Sequence, residues 1–376
     1  MSSFDAATTA SVYGDYEGII QGARFNQDSS CLAVYSNVGF GIYNCNPFAW
    51  ACERNLSNRA QAGIHTVEMM YRCNIIGIVG AMTSNMPSTN YEDGSTIPWH
   101  RNVLVIWDDK KGREVAHLIF SGPIKNVKLL RKLVIVALDT EIYVYQLKNV
   151  ELLNTFSTCY NPEGLCSVAT NGKTSILAYP ALEQGRVDIQ TYLLHPDSDV
   201  IEHGKPVSIK AHTYDICNIS LAFDGSLLTT ISVAGGFVRL WNLFTGQKLH
   251  EFKIPSKCGR IRFCQISQDA RYLLTISTKD VLSIFRINRS PSCKMPCSRY
   301  LSDCKFTTAG LIMKMVERTR LYFQSPRAFA KYKANDTIIA CTFLPNTNNI
   351  LLVLGDKTVV RLGISGQFKL LAKHSL

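Results

Sequence analysis

Residues 215–254 read DICNISLAFDGSLLTTISVAGGFVRLWNLFTGQKLHEFKI, and the fold is decided by how this stretch is punctuated. Short runs rich in Ile, Leu, Val, Thr and Phe are separated by Asp224-Gly225, Gly235-Gly236 and Thr245-Gly246. Such dipeptides supply the positive φ that tight turns between antiparallel strands demand. The apolar positions alternate or run continuously for a few residues and show no helical period, so the stretch predicts four strands.

The same plan recurs on both sides. GRIRFCQISQDARYLLTISTKDVLSIFRI (259–287) repeats it with Gln268-Asp269 at the first turn, and ARFNQDSSCLAVYSNVGFGIYN (23–44) repeats it again. The ends of the third strands line up as Ile42-Tyr43, Ile106-Trp107, Val144-Tyr145, Ile189-Gln190, Leu240-Trp241, Ile284-Phe285 and Arg361-Leu362. Four of the six gaps fall between 38 and 51 residues, and two are longer, at 64 and 77. A four-stranded propeller blade takes about 40–45 residues, so the long gaps carry insertions. Trp107-Asp108 and Trp241-Asn242 stand where WD repeats carry their name-giving dipeptide. The expected fold is all-β, a seven-bladed β-propeller over residues 17–376 behind an N-terminal tail of residues 1–16. Inserts are expected at about 82–102 in blade two and 288–331 in blade six, the latter ending in an amphipathic stretch that packs on the propeller.

Composition narrows the class. Hydrophobic residues are 46% and charged residues 18% of the chain, which suits an ordered globular protein. No run approaches the roughly 18 apolar residues of a membrane-spanning helix. The opening MSSFDAATTASVYGDYEG has neither the basic nor the apolar region of a signal peptide. Thirteen cysteines are scattered singly, many in apolar runs (Cys73, Cys166, Cys217, Cys264, Cys341), a pattern of reduced buried thiols and a cytosolic setting. The net charge of +11 favours anionic partners.

Over Gly22 to Ile364 the chain resembles the PROPPINs, propellers that read phosphoinositides during autophagy. The resemblance rests on FNQDSSCLAVYSNVGFGIYNCNPF (25–48), IYVYQL (142–147), NPEGLCSV (161–168), IKAHTYDI (209–216) and TGQKLHEF (245–252). NVLVIWDD (102–109) is similar to the branch that recruits a bridge-like lipid-transfer protein. The family binds headgroups through Phe-Arg-Arg-Gly at the end of blade five, its arginines turned to opposite sides. Here the aligned residues are Phe252, Lys253, Ile254 and Pro255. Carried over singly, His212, Ser232 and Arg239 match the first pocket and Lys253 replaces its arginine, while Gly236 stands for its threonine. In the second pocket Ser277 matches, but Ile254 replaces the arginine, and Val281 and Ser283 the threonine and histidine. A lysine gives up the planar fork with which arginine grips phosphate. The resemblance thus implies an eroded second pocket and weakened phosphoinositide binding. It also implies a membrane-dipping loop in blade six, with Met295, Tyr300, Leu301 and Phe306 to insert and Lys294, Arg299 and Lys305 to meet anionic lipid.

Other chemistries fit less well. Cys293, Cys297 and Cys304 are irregularly spaced and lack a fourth ligand for zinc. Asn171-Gly172-Lys173-Thr174 resembles the end of a phosphate loop, but Ser167 stands where that motif needs glycine. The eight histidines form no metal-spaced pair, and no carboxylate pair or nucleophile elbow marks an enzyme. No metal or cofactor is expected. Lys125, Lys128, Arg131 and Lys132 are expected on a solvated blade edge and carry little case for nucleic acid. The expected role is a monomeric, cytoplasmic autophagy adaptor, peripherally bound to phagophore, preautophagosomal or endosomal membranes, with a lipid-transfer protein as partner. The alternative is a cytosolic WD-repeat scaffold that has left the membrane.

Overall fold

A computed structural model describes residues 18–83, 99–195, 198–254, 259–287, 327–365 and 367–376. Every regular element among them is a β-strand, and the strands fall into seven antiparallel sheets, each drawn from consecutive strands. Six sheets have four strands; in the fourth the outer position is shared by Ile201–His203 and Val207–Lys210, both paired with Arg186–Leu194. All seven third-strand ends read from the sequence lie in third strands. The chain is a seven-bladed β-propeller.

Turn chemistry holds the blades in register. In blade five Gly225, Gly235, Gly236 and Gly246 all have positive φ, and the Asp224 carboxylate accepts from Ser226 N at 2.9 Å. The phosphate-loop lookalike is a hairpin turn in which Asn171 Oδ1 accepts from Thr174 N at 2.9 Å.

Neighbouring blades share their cores. Seven buried apolar clusters are present among the described residues, one at each junction between successive blades. The junction of blades seven and one gathers Val34, Tyr43 and Phe48 with Leu351, Val353 and Leu376. Among the described residues no strand is exchanged there; they close the ring by side chains and by bonds such as Ser29 Oγ to Thr342 Oγ1 at 2.6 Å.

The inner strands line the axis. Arg24, on Ile20–Phe25 of blade one, donates to Glu68 Oε2 of blade two at 3.2 Å and Asn126 Oδ1 of blade three at 2.9 Å. Lys128 Nζ approaches Glu68 at 3.8 Å. The basic cluster of residues 125–132 is therefore not on a solvated blade edge. Lys128 lies on the inner strand Asn126–Leu129, Arg131 stacks over the Tyr71 ring, and Lys132 Nζ reaches the carbonyls of His195 and Ser198. Its period is that of any strand, and only the ring shows which strand is innermost.

At the first insert, Met82 bridges to His100, and Trp99 is buried edge-on against Trp107, so the blade resumes at Trp99. Ala330–Lys333 is the outer strand of blade six. The remainder of both inserts and the expected amphipathic stretch lie outside the described residues, as do residues 1–17. The nine described cysteines are free thiols. Cys166, Cys264 and Cys341 are buried as expected, but Cys217 is half-buried and Cys73 is exposed, because it falls in the turn after Ile64–Met69.

Candidate functional site

Blade five consists of Ile216–Leu221, Leu227–Ser232, Phe237–Asn242 and Lys248–Lys253. Thr230, Arg239 and Glu251 are register partners on its last three strands, so they share one face of the sheet. Side chains alternate along a strand; Ser232 and Lys253, two residues beyond Thr230 and Glu251, are on that face too. It is the face turned to blade four, since Leu228 and Trp241 pack with Ile176, Ala178 and Ile189. Phe252 and Ile254 point the other way and pack with Ile261, Leu273 and Phe285 of blade six. Consecutive residues of one strand thus serve two different blade junctions.

On the blade-four side, His212 enters from the connection between blades four and five, its N–H donating to Gly185 O at 2.9 Å. The His212 ring is buried, with Nε2 at 2.9 Å from Thr230 Oγ1. Trp241 Nε1 donates to the same oxygen at 2.9 Å. The hydroxyl accepts from the indole and has its own proton to give, so Nε2 of a neutral imidazole is the acceptor. Burial first, and then the Arg239 charge, hold the His212 pKa down to about 4. The ring is therefore neutral at physiological pH and brings no charge to an anion.

Arg239 is already engaged. Its Nε donates to Glu251 Oε2 at 3.0 Å and its Nη1 to Ala211 O at 2.6 Å. Glu251 also accepts from Lys248 Nζ at 2.7 Å. Burial works to raise the Glu251 pKa but is outweighed by Lys248 and Arg239, which leave it below the usual range. A phosphate at this pocket would have to compete with a resident carboxylate. Lys253 is exposed at the outer end of the face. At Gly236, where a threonine is expected by resemblance, φ is +82° and the space a Cβ would enter is open.

On the blade-six side, Ile254 is 7% exposed and belongs to the core. Ser277 Oγ accepts from the backbone N–H groups of Lys279 and Val281, both at 3.3 Å, and so caps a turn. Ser283 is buried and faces Thr275 and Lys331 across the sheet, and Val281 faces Lys333. Pro255, Met295, Tyr300, Leu301 and Phe306 lie outside the described residues, with Lys294, Arg299, Lys305, Cys293, Cys297 and Cys304.

The structure brings His212, Ser232, Arg239 and Lys253 to one junction and sets Ile254, Ser277, Val281 and Ser283 at the next. The sequence reading missed Thr230, Trp241 and Glu251. Glu251 had a signal, since a residue two before Lys253 on a strand shares its face.

The fold and this site define a WD-type propeller with His212, Arg239, Glu251 and Lys253 gathered at one blade junction. No group of three or more His, Cys, Asp or Glu that could hold a metal occurs among the described residues. The PROPPIN family model matches residues 19–335, and the chain belongs to the PROPPIN family. It is 27% identical over 347 residues to autophagy-related protein 18e of Arabidopsis thaliana, covering 92% of this chain and 81% of the relative. Among solved structures it is similar to Kluyveromyces lactis Hsv2 with its complete loop 6CD (TM-score 0.71, 20% identity, 96% of this chain and 99% of that one). It is also similar to the complex of KlAtg21 with the coiled coil of AgAtg16 (TM-score 0.69, 21% identity, 95% of this chain and 99% of that one). Both likenesses establish the fold.

Proposed function

We propose that this protein is a non-catalytic autophagy adaptor that works mainly through protein contacts and has weakened phosphoinositide binding. Its relatives include a protein named for autophagy, and a propeller of the same fold forms a complex with a coiled coil. The partner proposed here is lipid-transfer machinery at a forming autophagic membrane, to which the adaptor is peripherally bound from the cytoplasm. No helix among the described residues is long and apolar enough to cross a membrane.

The burial of Ile254 carries the reading of weak lipid binding. The residue in the position of the second family arginine contributes to the core between blades five and six instead of offering a charge. A hydrogen bond to a charged group contributes roughly 1.5–3 kcal/mol, so the second pocket forfeits most of its grip. Paired sites on one membrane gain about 10²–10⁴ in apparent affinity, and one pocket alone loses that gain. The surviving pocket has a lysine for an arginine, a neutral histidine, and a carboxylate on its remaining arginine.

Flotation with vesicles containing phosphatidylinositol 3-phosphate, against vesicles matched in charge with phosphatidylserine, tests the reading. Equal or negligible flotation on the two is expected, with Arg239→Ala plus Lys253→Ala making no selective difference. Selective flotation abolished by that double substitution would overturn it.

A further inference from the structure

Four large apolar side chains stand exposed in four loops of blades three to five: Tyr160 at 73%, Leu182 at 70%, Tyr214 at 57% and Val233 at 43%. Two of the loops connect consecutive blades, and two join the second and third strands of a blade, which places all four at the same face of the ring. Backbone bonds stitch them side by side. Cys159 N donates to Ala181 O at 3.1 Å, beside Tyr160 and Leu182. Ala211 N and His212 N both donate to Gly185 O at 2.9 Å, and Val233 N donates to Asp215 O at 2.9 Å. The result is a set of exposed apolar side chains on loops joined by backbone bonds across three blades.

Exposed tyrosines and aliphatic side chains gathered on a fixed scaffold mark a protein contact surface. The charge around these side chains gives the occupant's chemistry. Glu183 is answered by Arg186 and Lys210, whereas Asp139, Glu163 and Asp215 form no salt bridge among the described residues. Glu163 and Asp215 are exposed beside Tyr160 and Tyr214 and can meet a partner's cations. We propose that the loop face of blades three to five is a docking surface, adjoining the pocket residues His212 and Ser232 on the same loops, for a partner segment that is both apolar and basic. Apolar side chains of the partner cover Tyr160, Leu182 and Tyr214, and its lysines or arginines meet Glu163 and Asp215. The proposal does not depend on lipid binding at the pocket residues.

The probe is a displayed library of random 16-residue peptides, panned on the whole protein and counter-selected on a Tyr160→Ser, Leu182→Ser, Tyr214→Ser variant. Surviving peptides are expected to be cationic with several aromatic or aliphatic residues. They should bind a Glu163→Lys, Asp215→Lys variant at least tenfold more weakly, with its melting temperature unchanged. Should the serine variant fail to fold, the charge-reversed variant serves for counter-selection. Peptides without cationic character, binding indifferent to charge reversal, or no enrichment would each overturn the proposal. So would flotation with phosphatidylcholine vesicles that is lost in the serine variant, since these side chains would then form a membrane face.

Discussion

His212 illustrates how a residue shared with a ligand pocket can be committed to the fold. Its ring accepts from Thr230, which accepts from Trp241, so three side chains from one blade and its entry loop are tied at a single hydroxyl. Depression of its pKa has a thermodynamic consequence. The unfolded chain protonates histidine near pH 6.5, but folded His212 does so only near about 4. Between those values the unfolded state binds more protons, so stability is complete above pH 6.5 and falls as the pH drops through the window. His65 is held down to about 4 as well, by burial first and then by Arg101, Arg24 and Lys125. Thermal melts from pH 7 to pH 4 should show this decline, and a His212→Gln variant should show a shallower one. An unaltered slope in the variant would mean that the imidazole titrates freely.

Blade five is the element whose parts were most legible in the sequence. Its turns were marked by local chemistry, and the alternation from Phe252 to Ile254 forecasts two faces before any sheet is drawn. Legibility ended where pairing is distant. Nothing near Arg239 announces that Ala211 O and Glu251 occupy its donors, and nothing near Lys128 says that its strand is innermost. The divided outer strand of blade four was hidden for the same reason, since one outer run and two look alike until they pair with Arg186–Leu194. Gly185 shows a tight connection between elements. Its φ is +71°, and a Cβ there would stand 2.2 Å from the His212 carbonyl oxygen. Gly185→Ala should therefore cost more than about 1 kcal/mol, read as a lower urea midpoint with an unchanged m-value. A neutral result would mean that the entry loop of blade five shifts freely.

Across the whole molecule, coupling runs both through the blade junctions and along the axis. Arg24 joins the inner strands of three blades, with its carboxylate partner Glu68 buried in the wall. Arg24→Ala leaves that carboxylate with Lys128 as its near cation. Removing one member of a largely buried pair costs roughly 3–5 kcal/mol when burial is complete; with Arg24 partly exposed, about 2–4 is expected. Adding Glu68→Gln should return part of the loss in urea unfolding. An absence of rescue would locate the cost in lost packing.

At the closing junction, as at the others, no strand is shared among the described residues, which makes the numbering of the blades a matter of convention. Ile20 and Leu376 pack in the same cluster, so the first and last strands of the ring are neighbours in space. A circularly permuted chain, opened between any other pair of blades and joined by a short tether here, would keep all seven cores. The proposed headgroup residues and the proposed docking surface lie away from this seam, in blades three to six. Opening of this junction would thus leave both proposed surfaces intact, because each is built from blades whose cores lie elsewhere in the ring.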